Sequence, residues 1–454
     1  MTRRSLPFPE TLVLLFVLIV LAQLTTYLLP TGEFVREGGR VVAGSYHLVD
    51  APTLGAFTFL TAIPKGLSSA ADVVFFVFIV GGVMGILQAS GALDAMLNAA
   101  IRRLGGNTAV LIGGVLTVLA LASSTIGMAE EYIAFVPLVV TMCLTLRLDA
   151  VVGVGLLLVG AGIGFGCAAL NPFTVMIAQD IAGLPATSGQ LYRWVVWLVA
   201  IVIGSGWLLR YARRIQRDPS KSLVADVDYS KGFEPPDVVD FTWQRRAIIG
   251  LVAVGIGLFV VGVRLWDWNL PELSAVFMGI AVLAAALARM TPNRGSRLFC
   301  RGAAELTTPA LLIGFARTIE VVLHDGKVID TVIQGLASVL LNLPAWGAAV
   351  GMLVVQGVIN FFIPSGSGQA FVTMPIMAPL ADVTGVSRQV AVLAYQFGDG
   401  FTNMLVPTNA VTMGMLALAR VPYGRWIRFA GPLVLMLYAL GALAIVLGVA
   451  FGYS

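Results

Sequence analysis

The residues best suited to chemistry in this chain are polar ones set inside apolar surroundings. Residues 331–381 contain no Asp, Glu, Lys or Arg, yet they include Asn360-Phe-Phe-Ile-Pro-Ser-Gly-Ser-Gly-Gln369. As a single helix this run would measure roughly 77 Å against a hydrocarbon core of ~30 Å, which excludes one straight span. Pro364 removes a helical donor, and Gly366 and Gly368 allow backbone angles that bulkier residues resist, so the break is expected there, with Ser365 and Ser367 at its tip. Unwound backbone is tolerated at membrane depth only where protein or a wet cavity satisfies its polar groups, so such a tip marks a binding site.

The same signature recurs. Ser123-Ser124-Thr125-Ile126-Gly127 separates the apolar runs 108–122 and 130–146, giving a second hairpin. Residues 150–170, with Gly153, Gly155, Gly160, Gly162, Gly164 and Gly166, run into Asn171-Pro172-Phe173, and residues 390–405 run through Asp399 and Asn403 into Pro407-Thr408-Asn409. A proline in such a span breaks or kinks it. Tip hydroxyls and freed carbonyls are hard oxygen ligands suited to Na⁺, and helix N-termini facing the same cavity favour a carboxylate. The expected substrate-binding residues are therefore Ser124, Thr125, Glu130, Asn171, Ser365, Ser367, Asp399, Asn403, Thr408 and Asn409. The expected Na⁺ ligands are Ser123, Ser124, Asn171, Ser365, Gly366 and Thr408; a proton is the other coupling ion considered, and no organic cofactor is expected.

Ionisable groups within the apolar runs carry two readings each. Glu130 and Glu131 open the return arm of the first hairpin, where acids complement a helix dipole; a carboxylate near mid-membrane also serves as a proton carrier or as partner to a substrate amine. Arg317 and Glu320, three apart, read as a neutralising pair on a static helix, with substrate binding by Arg317 as the alternative.

The elements that must position these residues follow from composition. With 58% hydrophobic residues, 11% charged residues and a mean hydropathy of +0.92, the chain is a polytopic all-α membrane protein. Residues 11–32, 104–129, 150–179 and 429–454 lack charge altogether, and the first of these is longer than a signal-peptide core. Alternating sides from a cytoplasmic N-terminus places Arg3, Arg4, Arg102, Arg103, Arg147, the 210–246 cluster, the 289–301 cluster, Arg420, Arg425 and Arg428 on one face and leaves the C-terminus outside. That is the positive-inside pattern, so the net charge of +4 requires no nucleic acid as partner. Residues 92–104 read as an interfacial helix, and Cys143, Cys167 and Cys300 as packing residues.

Asp94, Pro137, Pro172, Pro185 and Arg193-Trp194 match Asp330, Pro375, Pro407, Pro422 and Arg425-Trp426 at a nearly constant offset, which predicts two repeats. An extra helix near 247–263 makes them inverted in the membrane, the pattern of secondary transporters. The expected parts are scaffold 1–105, transport 106–212 (hairpin 106–146, broken helix 150–182), cytoplasmic linker 213–245, scaffold 246–343 and transport 344–454 (hairpin 345–382, broken helix 388–420).

The segments Asn171-Pro-Phe-Thr174, Ile177-Ala-Gln-Asp-Ile-Ala-Gly-Leu-Pro185, Ile363-Pro-Ser-Gly-Ser-Gly-Gln369 and Tyr395-Gln-Phe-Gly-Asp-Gly-Phe-Thr-Asn403 resemble the YfcC family, related to the DcuC carriers of C4-dicarboxylates. The resemblance covers nearly the whole chain. It implies an elevator-type carrier in the bacterial inner membrane, a dimeric scaffold, sites at the tips and breaks, and Thr174 as a further binding residue. The implied substrates are C4-dicarboxylates or amino acids, with basic amino-acid antiport as the alternative. An enzyme is not expected. Gln396 interrupts the Gly-x-Gly-Asp of an intramembrane protease, His47 and His324 cannot make His-Glu-x-x-His, and no nucleotide-binding loop is present. An ion channel is the competing class.

Overall fold

The computed structural model describes residues 11–453 except 38–39, 43, 97–106, 172, 186–187, 230–239, 241, 267 and 269. The chain is 77% helical. Two short ladders, Gly32–Glu33 with His47–Leu48 and Arg36–Glu37 with Arg40–Val41, are the strands among the described residues.

Two helices, Ala150–Gly166 and Arg388–Thr402, form the centre, and almost every residue of each is buried. The first is apolar on all sides, as a helix surrounded by protein must be. They cross backbone to backbone: a Cβ on Gly400 would lie 2.1 Å from the Gly166 nitrogen, so neither position has room for a side chain. After a break each continues as a short helix, Val175–Ile181 and Ala410–Leu418.

Each central helix is flanked by a hairpin. Thr108–Ile126 turns at Gly127 (φ +78°) and returns as the 3₁₀ segment Glu130–Phe135 and helix Val136–Thr145. Ala345–Phe362 turns at Ile363-Pro364-Ser365 and returns as Gly366–Thr384. The 28-residue helices Gln190–Arg217 and Tyr423–Ala450 close this group from outside. They expose Val195, Leu198, Val202, Leu435 and Leu443, an apolar face suited to lipid.

A second group packs among itself: Thr11–Leu28, Thr58–Ser69, Ala71–Ala89, Trp243–Leu265, Leu270–Leu287, Pro292–Glu305 and Thr307–Asp325. Helix Pro292–Glu305 lies where the sequence suggested only a charged cytoplasmic cluster. Its arginines share one side, and its other side meets Ala71–Ala89 so closely that a Cβ on Gly302 would lie 2.2 Å from the Gly81 carbonyl oxygen. Thr58–Ser69 is likewise a helix, with Pro64 inside it. The chief contact between the two groups is Thr307–Asp325 against Ala410–Leu418. Five helices among the described residues are long and apolar enough to cross a membrane unaided. Of the expected interfacial helix, residues 92–96 are helical and the remainder lies outside the described residues, as do Pro172 and the linker prolines Pro235 and Pro236.

The described part of the linker is a strap. Tyr211 Oη and Ser222 Oγ donate to Asp149 Oδ2 (2.6 and 2.7 Å), while Arg425 Nη1 donates to Leu223 O (3.0 Å) and Nη2 to Asp226 Oδ2 (2.6 Å). It thereby joins the N-cap of one central helix to the head of the last helix. The Arg425 guanidinium holds the Asp226 carboxyl below its ordinary range. Because the folded value is depressed, this pair contributes above about pH 4 and is lost as pH falls through the folded value.

The helix crossing gives a direct test. Gly400→Ala should destabilise the protein by about 1–3 kcal/mol or prevent folding, since backbone rather than a pliant side chain blocks the new methyl. Gly113→Ala, where nothing lies within 4 Å, should be neutral or slightly stabilising in the same thermal-unfolding assay.

Candidate functional site

The two tips and the two breaks line one cavity of about 460 Å³. The first hairpin contributes Gly127, Met128, Ala129, Glu130 and Glu131, and the second Pro364, Ser365, Gly366 and Ser367. Phe173 and Thr174 come from one break, and Asn403, Thr408 and Asn409 from the other. The facing wall, supplied by the second group of helices, holds Ser69, Asp72, Trp268 and Arg317. A volume of this size suits a small metabolite.

Several residues expected to face the substrate instead hold the first tip in place. Ser123 Oγ donates to Met128 O (2.6 Å) across the turn, and Asn171 Nδ2 donates to Ser123 O (2.9 Å) while its Oδ1 accepts from Phe173 N (2.8 Å). Ala169 N donates to Ser124 Oγ (3.0 Å) and Leu170 N to Ser124 O (3.1 Å). Ser123, Ser124 and Asn171 are fully buried and absent from the cavity wall. Thr125 donates to Leu121 O (2.7 Å) within its own helix, the ordinary behaviour of a helical threonine, and also lies off the wall.

The second tip reaches across to the first break. Ser365 Oγ caps its helix by accepting from Gly368 N (3.4 Å), and Gly366 O accepts from Tyr395 Oη (2.6 Å). A Cβ on Gly366 would lie 2.6 Å from Thr174 Cγ2 and 3.3 Å from Asp399 Oδ2, so only glycine permits this approach. Ser367 lines the cavity. With its amide oxygen turned toward them, Gln396 accepts from Thr174 Oγ1 (3.0 Å) and Val175 N (2.7 Å), and its nitrogen donates to Phe165 O (2.6 Å). The residue that interrupts the protease motif therefore fastens one broken helix to the other.

The second break is held by amides. Asn360 Nδ2 donates to Asp399 O (3.1 Å) and Asn403 Oδ1 (3.0 Å), and Asn409 Nδ2 donates to Asn403 Oδ1 (2.8 Å). Asn403 Nδ2 donates to Asp399 Oδ1 (3.0 Å). Asp399 is fully buried behind the wall, and among the described residues its Oδ2 has no partner; nor has the buried Oγ1 of Thr408, a residue of the cavity wall. Of the six residues expected to bind Na⁺, Ser365, Gly366 and Thr408 line the cavity, whereas Ser123, Ser124 and Asn171 are committed behind it.

Electrostatically the cavity wall is mixed. Glu130 is exposed into it, and Glu131 accepts from Ala129 N (2.9 Å) through Oε2. Asp72 opens Ala71–Ala89 opposite them. Arg317 is paired with Glu320, and its Nε donates to Ser69 Oγ (3.3 Å), so it borders the cavity already neutralised. The N-termini of Gly366–Thr384 and Ala410–Leu418, at Ser365 and Asn409, add positive dipole ends to the same wall. Asp72, Ser69 and Trp268 escaped the sequence reading. For Asp72 the signal was present, since it is the one charge between Lys65 and Asp94.

The family model of DcuC, described as a C4-dicarboxylate anaerobic carrier, matches residues 8–450. The chain belongs to the DcuC family. This DcuC-family protein is thus a multi-pass membrane transporter and not an enzyme. It is 32% identical to Escherichia coli YfcC, provisionally named a basic amino acid antiporter, over 99% of this chain and 98% of that one. It is 31% identical to an uncharacterised Haemophilus influenzae protein over 90% of this chain and 81% of that one. Among solved structures, the Alcanivorax borkumensis YdaH transporter aligns with TM-score 0.44 and 18% identity, covering 98% of this chain and 99% of that one. Neisseria gonorrhoeae MtrF aligns with TM-score 0.42 and 16% identity, over 96% and 95%.

If Asn171 positions the first tip rather than touching substrate, Asn171→Ala should cost about 1–3 kcal/mol by leaving buried groups unpaired. Uptake of every substrate should then fall by the same factor. A selective loss for one substrate, with unfolding temperature unchanged, would move Asn171 into the binding site.

Proposed function

We propose that this protein is a secondary active transporter of amino acids with a cationic side chain, working by exchange across the inner membrane. The observation that carries the proposal is the mixed lining of the cavity, acids together with helix N-termini. Asp72, Glu130 and Glu131 suit ammonium or guanidinium groups, while the helix N-termini at Ser365 and Asn409 suit an α-carboxylate. The name of YfcC points the same way. The C4-dicarboxylate reading is favoured by the family description and by the helix N-termini, but it leaves three acids facing a dianion.

In the proposed movement, residues 106–212 and 344–454 slide as one body against 1–105 and 246–343, with the two halves as inverted repeats and the scaffold dimeric. The contact between Thr307–Asp325 and Ala410–Leu418 would be the sliding surface. The ordering of the binding residues is Glu130, Ser365, Ser367, Thr174, Asn403, Thr408 and Asn409 at the substrate. Asp399 stands behind them as a coupling carboxylate, because a buried acid with one oxygen left without a hydrogen bond is costly as an anion until a proton or cation joins it. The N-terminus is cytoplasmic and the C-terminus external in this reading.

Counterflow in proteoliposomes tests the substrate. Vesicles loaded with arginine or lysine should accumulate labelled cationic amino acid saturably, and Glu130→Gln should raise KM at least tenfold for these while leaving neutral carboxylates unaffected. Counterflow of succinate or fumarate alone would overturn the amino-acid reading, and a wild-type Glu130→Gln variant would return that residue to a helix-dipole role. Single-channel current would indicate a pore.

The movement has a separate test. A Cβ on Gly414 would lie 3.0 Å from Ile313 Cδ1, so cysteines at 313 and 414, in a Cys300→Ser background, should be joined by a short bifunctional maleimide. Joining them should stop transport; full turnover in the joined protein would overturn the sliding movement.

A further inference from the structure

A second concavity, of about 290 Å³, lies apart from the substrate cavity, where Ala71–Ala89, Trp243–Leu265, Leu270–Leu287 and Pro292–Glu305 bring their ends together. Its wall includes Arg245, Arg289 and Arg294 and, among the described residues, holds no Asp or Glu. None of the three arginines forms an ion pair with a described carboxylate. Three cations on one wall, with no described carboxylate paired to them, favour an anion there.

The site is built rather than a chance meeting of surface side chains. Arg245 is half-buried; its Nε donates to Ser90 O (3.3 Å) and its Nη1 to Asp240 O (2.7 Å). Its guanidinium lies over Gly91 (φ +69°), where a Cβ would come within 2.8 Å of Nη2. Thr242 on the wall caps Trp243–Leu265, and Arg294 sits in the first turn of Pro292–Glu305, capped by Thr291, so two helix N-termini add positive potential.

We propose that this pocket binds the phosphate headgroup of an anionic phospholipid. Guanidinium forks match phosphate oxygens in two-point contacts, and basic pockets between membrane helices on the positive-inside face favour such headgroups. Continuity with an apolar outer surface selects a lipid over a free phosphate. Met278, Val282 and Leu283 are exposed along Leu270–Leu287 within the turns leading to Leu287 on the wall, and Trp243 at the rim is 64% exposed. The headgroup therefore fills the pocket while acyl chains run along that face. Bound there, the lipid ties together the ends of four helices of the second group.

Thermal unfolding of the purified full chain in neutral detergent, with added lipid, tests the assignment. Phosphatidylglycerol or cardiolipin should raise the unfolding temperature by a few degrees, and phosphatidylcholine should not. The Arg245→Gln/Arg289→Gln/Arg294→Gln variant should lose the shift, while Arg297→Gln/Arg301→Gln, outside the pocket on the same helix, should keep it. If the triple variant does not fold, Arg294→Gln alone should reduce the anionic lipid retained in native mass spectra. A shift equal with phosphatidylcholine, or persisting without the arginines, overturns the site. An equal shift with inorganic phosphate alone overturns the lipid as its source.

Discussion

The contact on which the rest of the structure depends is the meeting of two peptide backbones at Gly166 and Gly400. A Cβ at Gly400 would fall 2.1 Å from the opposing nitrogen, so the two central helices touch with nothing between them. That proximity allows the segments just beyond each helix to face one another. Phe173 and Thr174 leave one crossing arm, Asn403 and Thr408 leave the other, and each hairpin packs on its own arm with its tip on the same cavity. Lipid offers no hydrophobic gain for helix association, so close packing of small residues and interhelical hydrogen bonds such as those of Gln396 and Asn360 hold this centre together.

Much of the architecture was legible because prolines, glycines and charges punctuate apolar runs. The turn at Ile363-Pro364-Ser365 and the break before Asn409 stand out from the residues alone, since no other local conformation accommodates those sequences in a membrane. Helix Pro292–Glu305 was not legible, because averaging over its arginines hides the face that packs against Gly81. The division of labour among polar residues was also hidden. Ser123, Ser124 and Asn171 look like ligands in sequence, but whether a serine faces a cavity or a backbone amide depends on a rotation of about 100° per helical residue, which spacing alone leaves open. The facing wall was harder still, because Asp72 and Trp268 reach the cavity through tertiary packing of distant segments.

The hydrogen bonds behind the wall suggest why so many polar residues are needed. Each break frees backbone groups that in hydrocarbon would cost several kcal/mol apiece. Ser124 and Asn171 satisfy the first break, while Asn360, Asn403, Asn409 and Thr412 satisfy the second. The polar shell is thus largely structural, and the groups left without a partner among the described residues stand out against it: the exposed Glu130, the buried Thr408 Oγ1 and Asp399 Oδ2.

On the proposed reading, the origin of the ionisable groups bears on why transport would proceed by exchange. Glu130 and Glu131 belong to the body that would move, whereas Asp72 and Arg317 belong to the wall it would move past. Sliding the empty body would carry Glu130 along Thr307–Asp325, where Arg317 is already neutralised by Glu320, and a bare carboxylate resists that transfer. A cationic amino acid cancels the charge before the movement and brings its own carboxylate to the helix N-termini, where it is satisfied. The loaded body then crosses more readily than the empty one, so return requires a second cationic substrate or a proton. On that reading, antiport would follow from charge balance at this interface, without a separate gate.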